Sequence, residues 1–591
     1  MQEPNDRRLR CLPVPPSPGR SHPFCRRSMT QPALADAHEP DVTAPIPRIA
    51  APVRARASWR PGVVAWWLFS AVPVGLALLA AVRAPRMHVL LDYWHVFAKI
   101  TDDNGNLLLG QVFTYHLDQP FVVPSLLFYA DAAWFGGDNR VLTVLTIALL
   151  AVAVLSLRSM LPRQLSPTAR GALTAAMTWL LFSSHATELW LQSTNGISWV
   201  PAVTFCTVAI ACAHRGRIAI ASGAAVLGCL SFGAALPIWF VIAFILWLRK
   251  ESRLRVVIPA VAGVVIIAAW WLTKPAGAQS GATAAFDPDG RLSVIAAAVG
   301  GLWSVDVAVV AVIAGGLTIT LLAVLFSRTL DNRRHRTVDG DAGWLGLTLY
   351  AFALPLMLAL GRTTTNVPGG NVGLISRYVL VAALATIALV VLAAAHRPQW
   401  SRRYLVVGVV ALSLITHAIG GGKADQVRRS YAPLNLAAIA LRVDAPAALE
   451  GLHIQRAAAS AARALQAYPF NNAFTLGCHG PELGSHLDLA TAQPLTDKGP
   501  GTAHGALDAP ATDPGAITTG WVSINGTPPD CVLITDQTGT VTGGGISGLP
   551  LTAGQTATAA PGATGWQATA GPTSGLLAVL AVQDGHLHRI S

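Results

Sequence analysis

Long apolar runs separated by short polar connections dominate the chain. The first covers Gly62–Val82, and others follow at Val141–Leu157, Gly171–Ser184, Trp199–Ala213, Ile218–Gly233, Leu236–Leu248, Val256–Leu272, Val305–Phe326, Trp344–Leu360, Tyr378–Ala395 and Tyr404–Ile419. Each holds roughly 15 to 23 residues, the length at which a helix crosses a hydrocarbon core, so about eleven transmembrane helices are expected. The stretch Ile218–Leu248 is read as two short spans turning near Ser231–Pro237. Read as one span, it would invert everything downstream.

Two regions break this rhythm. The connection 83–140 is far longer than a usual helix–helix loop, and long ordered loops are disproportionately functional. Inside it, Phe121–Phe135 is apolar but interrupted by Pro124 and Asp131, which predicts a helix lying at the membrane surface. A second such element is expected at Leu292–Trp303. After Gly420 the chain turns to Gly, Ala, Thr and Pro. A helical pattern covers Leu434–Tyr468, and "GWVSINGTPPDCVLITDQTGTVTGGGI" and "GLLAVLAVQDGHLHRI" read as short strands between turn signals. The expected fold is an all-α polytopic membrane domain at 62–419 with a small α+β domain, β-sandwich-like or a partial barrel, at 420–591. Residues 1–61 read as a disordered basic leader rather than a cleaved signal, with Met29 an alternative start.

Composition agrees with that reading: of 591 residues 52% are hydrophobic and 12% charged, and the mean hydropathy is +0.49. The net charge of +12 does not point to nucleic acid, because the basic residues fall in short clusters between apolar runs. They read as topology signals. Arginines before the first span place the amino end in the cytoplasm. Alternate connections then carry Arg158, Arg163 and Arg170; Arg215 and Arg217; Arg249, Lys250, Arg253 and Arg255; Arg328, Arg333, Arg334 and Arg336; and Arg397, Arg402 and Arg403. The remaining connections are poorer in Lys and Arg, which puts them, and the region after Gly420, outside. Of the seven cysteines only Cys478 and Cys531 are candidates for a disulfide, given an oxidising exterior.

The candidate chemistry gathers in "LLDYWHVFAKITDDNGNLLLGQVFTYHLDQP". Asp92, beside Tyr93 and Trp94, is either part of an interfacial belt or a carboxylate in a partly desolvated cleft, able to take a proton from a hydroxyl. Asp102 and Asp103 sit in a turn sequence. His116 could face a phosphate or a sugar hydroxyl, or be structural. Arg377 enters the tenth span from the Gly-, Thr- and Asn-rich loop Gly361–Gly373, where a cation is costly unless paired; a lipid-linked phosphate and a headgroup anchor both fit. Glu188 and Gln192, one helical turn apart near Trp190, could line a sugar site or form a wet interfacial turn. Lys274 and Asp287 belong to a loop that could act as a lid. Trp521 and Trp566 are either sugar-stacking platforms or core, and the sequon at Asn525 reads as a turn.

Several pieces together resemble the GT-C superfamily of integral membrane glycosyltransferases: a first span, a long first external loop with an Asp near its start, "YHLDQP" ahead of a surface helix, many further spans and an external carboxy-terminal domain. "FGGDNR" (135–140), "ELWLQ" (188–192), "SFGAALPIW" (231–239) and "ISRY" (375–378) look like a group of bacterial multi-spanning proteins of this type. The resemblance implies a polyprenyl-phosphate-linked sugar as donor, a cell-envelope glycan or lipid as acceptor, and residence in the bacterial cytoplasmic membrane among membrane lipids. It implies Asp92 as general base, with His116, Arg377, Tyr378, Glu188 and Gln192 as candidates for substrate binding. Asp92 is followed by Tyr93 rather than a second acidic residue, which leaves a divalent metal open. The alternative is a non-enzymatic transporter, flippase or assembly factor for cell-surface polysaccharide; the scarcity of charges within the spans argues against ion coupling.

Overall fold

The computed structural model describes residues 61–275, 288–332, 340–361, 370–396, 402–495, 503–509, 515–556, 559–572 and 577–590. The leader with Met29, Asp287, most of the Gly361–Gly373 loop and the arginines at 333, 334, 336 and 397 lie outside them. Every expected span coincides with a helix: α1 (Pro61–Arg83), α5 (Asn139–Ser159), α6 (Pro167–Leu181), α8 (Ser193–His214), α9 (Ile218–Cys229), α10 (Ile238–Leu248), α11 (Arg253–Thr273), α13 (Ala308–Asn332), α14 (Ala342–Gly361), α15 (Val379–His396) and α16 (Arg402–Tyr431). The elements between them are α2 (Leu91–Ile100), α3 (Leu109–Val112), α4 (Val122–Trp134), α7 (Thr187–Leu191) and α12 (Pro288–Gly300).

Eight helices among the described residues are long and apolar enough to cross a membrane, which makes the chain a multi-pass membrane protein. Three of the expected spans, α6, α9 and α10, are shorter, at 15, 12 and 11 residues. Nearly all of α6 is buried in the bundle core, so its length is set by helix packing rather than by lipid.

The pair α9–α10 is a hairpin, not one span. Its two helices part at a 3-10 turn, Gly233–Ala235, and both outer ends return to one place: Arg249 Nη1 donates to the His214 carbonyl at 2.6 Å. Arg163, Arg170, His214, Arg215 and Arg249 line a common hollow of about 550 Å³. Arg215 Nη2 reaches the Ser159 carbonyl there, 2.8 Å away, so three arginine-bearing connections meet at one end of the bundle. At about 1.5 Å per residue, the 22 residues of α8 carry the chain roughly 30 Å from that end to Ser193. A hairpin limb of 12 residues rises only about 18 Å, and its tip stops beside Trp199, whose ring lies 5.6 Å from that of Phe232.

Past Gly420 there is no break: α16 continues to Tyr431. The expected helical stretch 434–468 is three short helices, α17 (Leu436–Arg442), α18 (Pro446–Gly451) and α19 (Ala458–Ala464), with Pro446 opening α18 at a first-turn position where its missing N–H costs nothing. Eight strands follow: β1 (Gln493–Pro494), β2 (Ala503–Ala509), β3 (Thr518–Ile524), β4 (Cys531–Thr535), β5 (Val541–Leu549), β6 (Thr564–Ala570), β7 (Ala578–Gln583) and β8 (His586–Arg589). They form one sheet curved into a half-barrel, ordered β1-β8-β7-β4-β5-β6-β3-β2, instead of two facing layers. Helices and the long loop 83–140 cover one face, so a second sheet is not needed to bury it. Cys478 and Cys531 are disulfide-bonded, with Cα atoms 5.2 Å apart. Trp521 and Trp566 are buried and serve as core. Asn525 and Gly526 take left-handed φ values of 54° and 74°, the conformation that Asn-Gly favours in tight turns.

One apolar cluster joins the two parts. It contains Tyr93, Trp94 and Phe97 of α2, Phe128 of α4, Leu436 and Leu441 of α17, Leu449 of α18, and Leu533, Leu580 and Val582 of the sheet. The long first loop is therefore a half of a core whose other half begins more than three hundred residues later.

Candidate functional site

Residue spacing in α2 separates a packing face from a solvent face. Tyr93, Trp94, Val96, Phe97 and Ile100 are buried, a stripe at helical period; each such side chain taken from water stabilises the fold by about 1.5–3 kcal/mol. Asp92 and His95, three residues apart, share the opposite face. The carboxylate occupies the first turn, where the helix dipole favours negative charge.

His116 is brought to Asp92 by a tight turn. The backbone groups of His116 and Gln119 bond reciprocally at 3.0 Å, and Leu117 takes φ 57°. Two neighbours clamp this turn: Trp270 Nε1 of α11 donates to the Asp118 carbonyl at 2.8 Å, and the Gly233 N–H at the hairpin tip donates to Gln119 Oε1 at 3.0 Å. A Cβ at position 233 would collide with that same oxygen, so glycine permits the approach. His116 Nε2 then lies 3.4 Å from Asp92 Oδ1, with side-chain exposures of 12% and 49%. Burial and the neighbouring His116 hold the His95 imidazole below its usual pKa, opposed by Asp92.

Asp92, His116, Arg377 and Tyr378 line one cavity of about 180 Å³. Asp118, Gln119 and Asn195 add to its polar lining, and Trp199, Phe232, Leu354, Met357 and Leu358 make the rest of it apolar. The tip of the α9–α10 hairpin, at Phe232, Gly233 and Ala234, lines this space together with residues of α8 and α14.

Arg377 has a protein partner, Glu188. Its Nη1 donates to Glu188 Oε1 at 2.7 Å and its backbone N–H to Oε2 at 3.1 Å. Asn195 Nδ2 and the Tyr431 hydroxyl donate to the same Oε1 at 2.7 and 2.8 Å. Glu188 is buried and does not line the cavity; it holds the guanidinium in place at the cavity wall. Gln192 is buried too, its Oε1 accepting from the Val89 N–H at 3.2 Å, and it braces the segment leading into α2.

A polar knot beside this site escapes sequence reading. His88 Nε2 lies 3.0 Å from Asp131 Oδ2, both side chains fully enclosed, and the His88 ring stacks on Tyr93 with centroids 3.8 Å apart. Asn139 Nδ2 donates to the Pro85 and Leu191 carbonyls, and its Oδ1 accepts from Ser193 N and Oγ. Burial pushes the Asp131 carboxyl above the usual range, opposed by the His88 contact. The one readable signal was Asp131 itself, a carboxylate within an apolar helix. Asp102 closes the "DDNGN" turn as expected, accepting from the Asn104 and Asn106 N–H groups at 3.0 and 2.8 Å. Among the described residues no group of three His, Cys, Asp or Glu side chains is placed to hold a metal ion.

Comparison of the chain with protein-family models, with curated proteins and with solved structures finds no match.

Proposed function

We propose that this chain is a membrane glycosyltransferase of GT-C type, moving a sugar from a polyprenyl-phosphate donor to a hydroxyl of a cell-envelope glycan or lipid. The carrying observation is the convergence of Asp92, His116, Arg377 and Tyr378, drawn from two distant parts of the sequence, on one cavity with both polar and apolar lining. Such a cavity suits a substrate with a charged head and a hydrocarbon tail.

In this reading the Asp92 carboxylate accepts the proton of the acceptor hydroxyl, with His116 beside it to hold its orientation. The acceptor oxygen attacks the sugar carbon with inversion. The bond to the phosphate oxygen breaks, its electron pair leaves with the polyprenyl phosphate, and Arg377 meets the charge that develops. Glu188 keeps Arg377 aimed, a positioning role. No step is routed through a metal. The gathering of arginines at the far end of the bundle supports an orientation with that end in the cytoplasm and the cavity outside, in a bacterial cytoplasmic membrane.

The test is transfer of radiolabelled sugar from polyprenyl phosphate by the purified, reconstituted chain. Asp92→Asn abolishes transfer while insertion and unfolding stay as in the parent. Retained transfer removes Asp92 from the mechanism, and movement of lipid-linked sugar across vesicles without new glycosidic bonds replaces the enzyme reading with a transporter.

A further inference from the structure

The segment between α2 and α4 carries large apolar side chains that no other described residue covers. Leu109 is 62% exposed, Phe113 69% and Leu117 63%, on a tip of known height. Tyr115 OH lies 2.7 Å from Thr273 Oγ1, and the Trp270 indole holds the Asp118 carbonyl. Both partners belong to the last turn of α11, one of the eight helices fit to cross a membrane, and the most bare of them. That turn ends in Trp271 and Leu272, 58% and 81% exposed, followed by Lys274, whose Nζ lies 4.0 Å from the centre of the Trp271 ring. Paired Trp and a trailing Lys mark the level where hydrocarbon gives way to headgroups.

We infer that Leu109, Phe113 and Leu117 form a lip seated in the bilayer leaflet on the cavity's side, so that the cavity opens at the membrane surface rather than into bulk water. The occupant is lipid, because the patch continues an apolar helix surface and is tied to it by two hydrogen bonds at interfacial height. A soluble protein partner would have to dock below the headgroups to reach Leu117. Lys99 stiffens the tip from behind, its Nζ donating to the Tyr115 carbonyl at 3.2 Å, and leaves a cation near the headgroups. Leu117 also lines the cavity, so a hydrocarbon chain reaches the Asp92–His116 pair by sliding past it without leaving the leaflet. This placement stands independently of the sugar chemistry proposed above.

Spin labels on Phe113→Cys and Leu109→Cys, in the full chain with Cys11→Ser, Cys25→Ser and Cys212→Ser and reconstituted in phosphatidylcholine–phosphatidylglycerol vesicles, read the depth directly. Collisions with oxygen exceed those with an aqueous nickel chelate at both positions, as they do at Leu272→Cys, and the ratio inverts at the solvent-facing Ala464→Cys. Nickel-dominated accessibility at 113 and 109, like that at 464, overturns the lip, and so does protection from both reagents, which signifies protein cover.

Discussion

Two polar clusters lie side by side at one end of this bundle, on the same elements, and they differ in how their hydrogen bonds are closed. In the knot, His88, Asp131, Asn139, Gln192 and Ser193 are buried and bonded to one another or to backbone. In the cavity, Asp92 is half exposed and its neighbours Asp118 and Gln119 spend their groups on fixing a turn. A buried group bonded within the protein specifies geometry, and Asp131 does so through Oδ2 alone, its Oδ1 finding no partner. A group of the same type at an opening, as Asp92 is with half its side chain exposed, is within reach of something that is not protein. The knot places α2 and α4, and the cavity inherits its shape from that placement.

The sharpest way to break the contrast is Asp92→Asn. Loss of a general base lowers transfer by about 10²–10⁴-fold, while the thermal midpoint in detergent stays put because the side chain is half in water. A large stability loss would move Asp92 into the knot. Asp131→Ala is expected to do the reverse, costing on the order of 3 kcal/mol by orphaning a buried partner, read as a fall in the midpoint of size-exclusion thermal melts. Gln192→Ala sharpens the boundary: losing the brace on the Met87–Val89 segment costs about 1–2 kcal/mol, with transfer lowered only in proportion to folded protein.

The smallest effect concerns His95. Its imidazole titrates below 6.5 in the folded chain, so the folded state holds fewer protons than the unfolded one in that window. Its contribution to stability is therefore full above 6.5 and declines as the pH falls. Histidine-selective NMR is expected to find that midpoint lowered further by Asp92→Asn and raised by His116→Gln, since the carboxylate raises it and the second imidazole lowers it. Indifference to both changes would separate His95 from the pair.

Helix positions were legible because apolar runs announce themselves locally. A helix was expected at Phe121–Phe135 and is observed at Val122–Trp134, and the turn at Ser231–Pro237 lies where Pro and Gly interrupt the run. The helical stripe Tyr93, Trp94, Val96, Phe97 and Ile100 was present as a pattern, yet the loop reading passed over α2. Partners were not legible. Nothing near His88 names Asp131, 43 residues on, and nothing near Arg377 names Glu188, so a cation read as awaiting a phosphate already has a carboxylate. Strand order is equally non-local, which is why the sequence left a sandwich and a partial barrel both open, and the single curved sheet answers to the second.

The apolar cluster shared by α2, α4 and the sheet sets an order of synthesis. A chain that emerges amino end first completes α1 and the loop 83–140 long before Leu580 and Val582 exist, so Trp94 and Phe97 wait through most of translation without their final neighbours. Until the last strands leave the ribosome, the loop has only half of its core, and a chain cut short after α16 would never complete the apolar surroundings of α2.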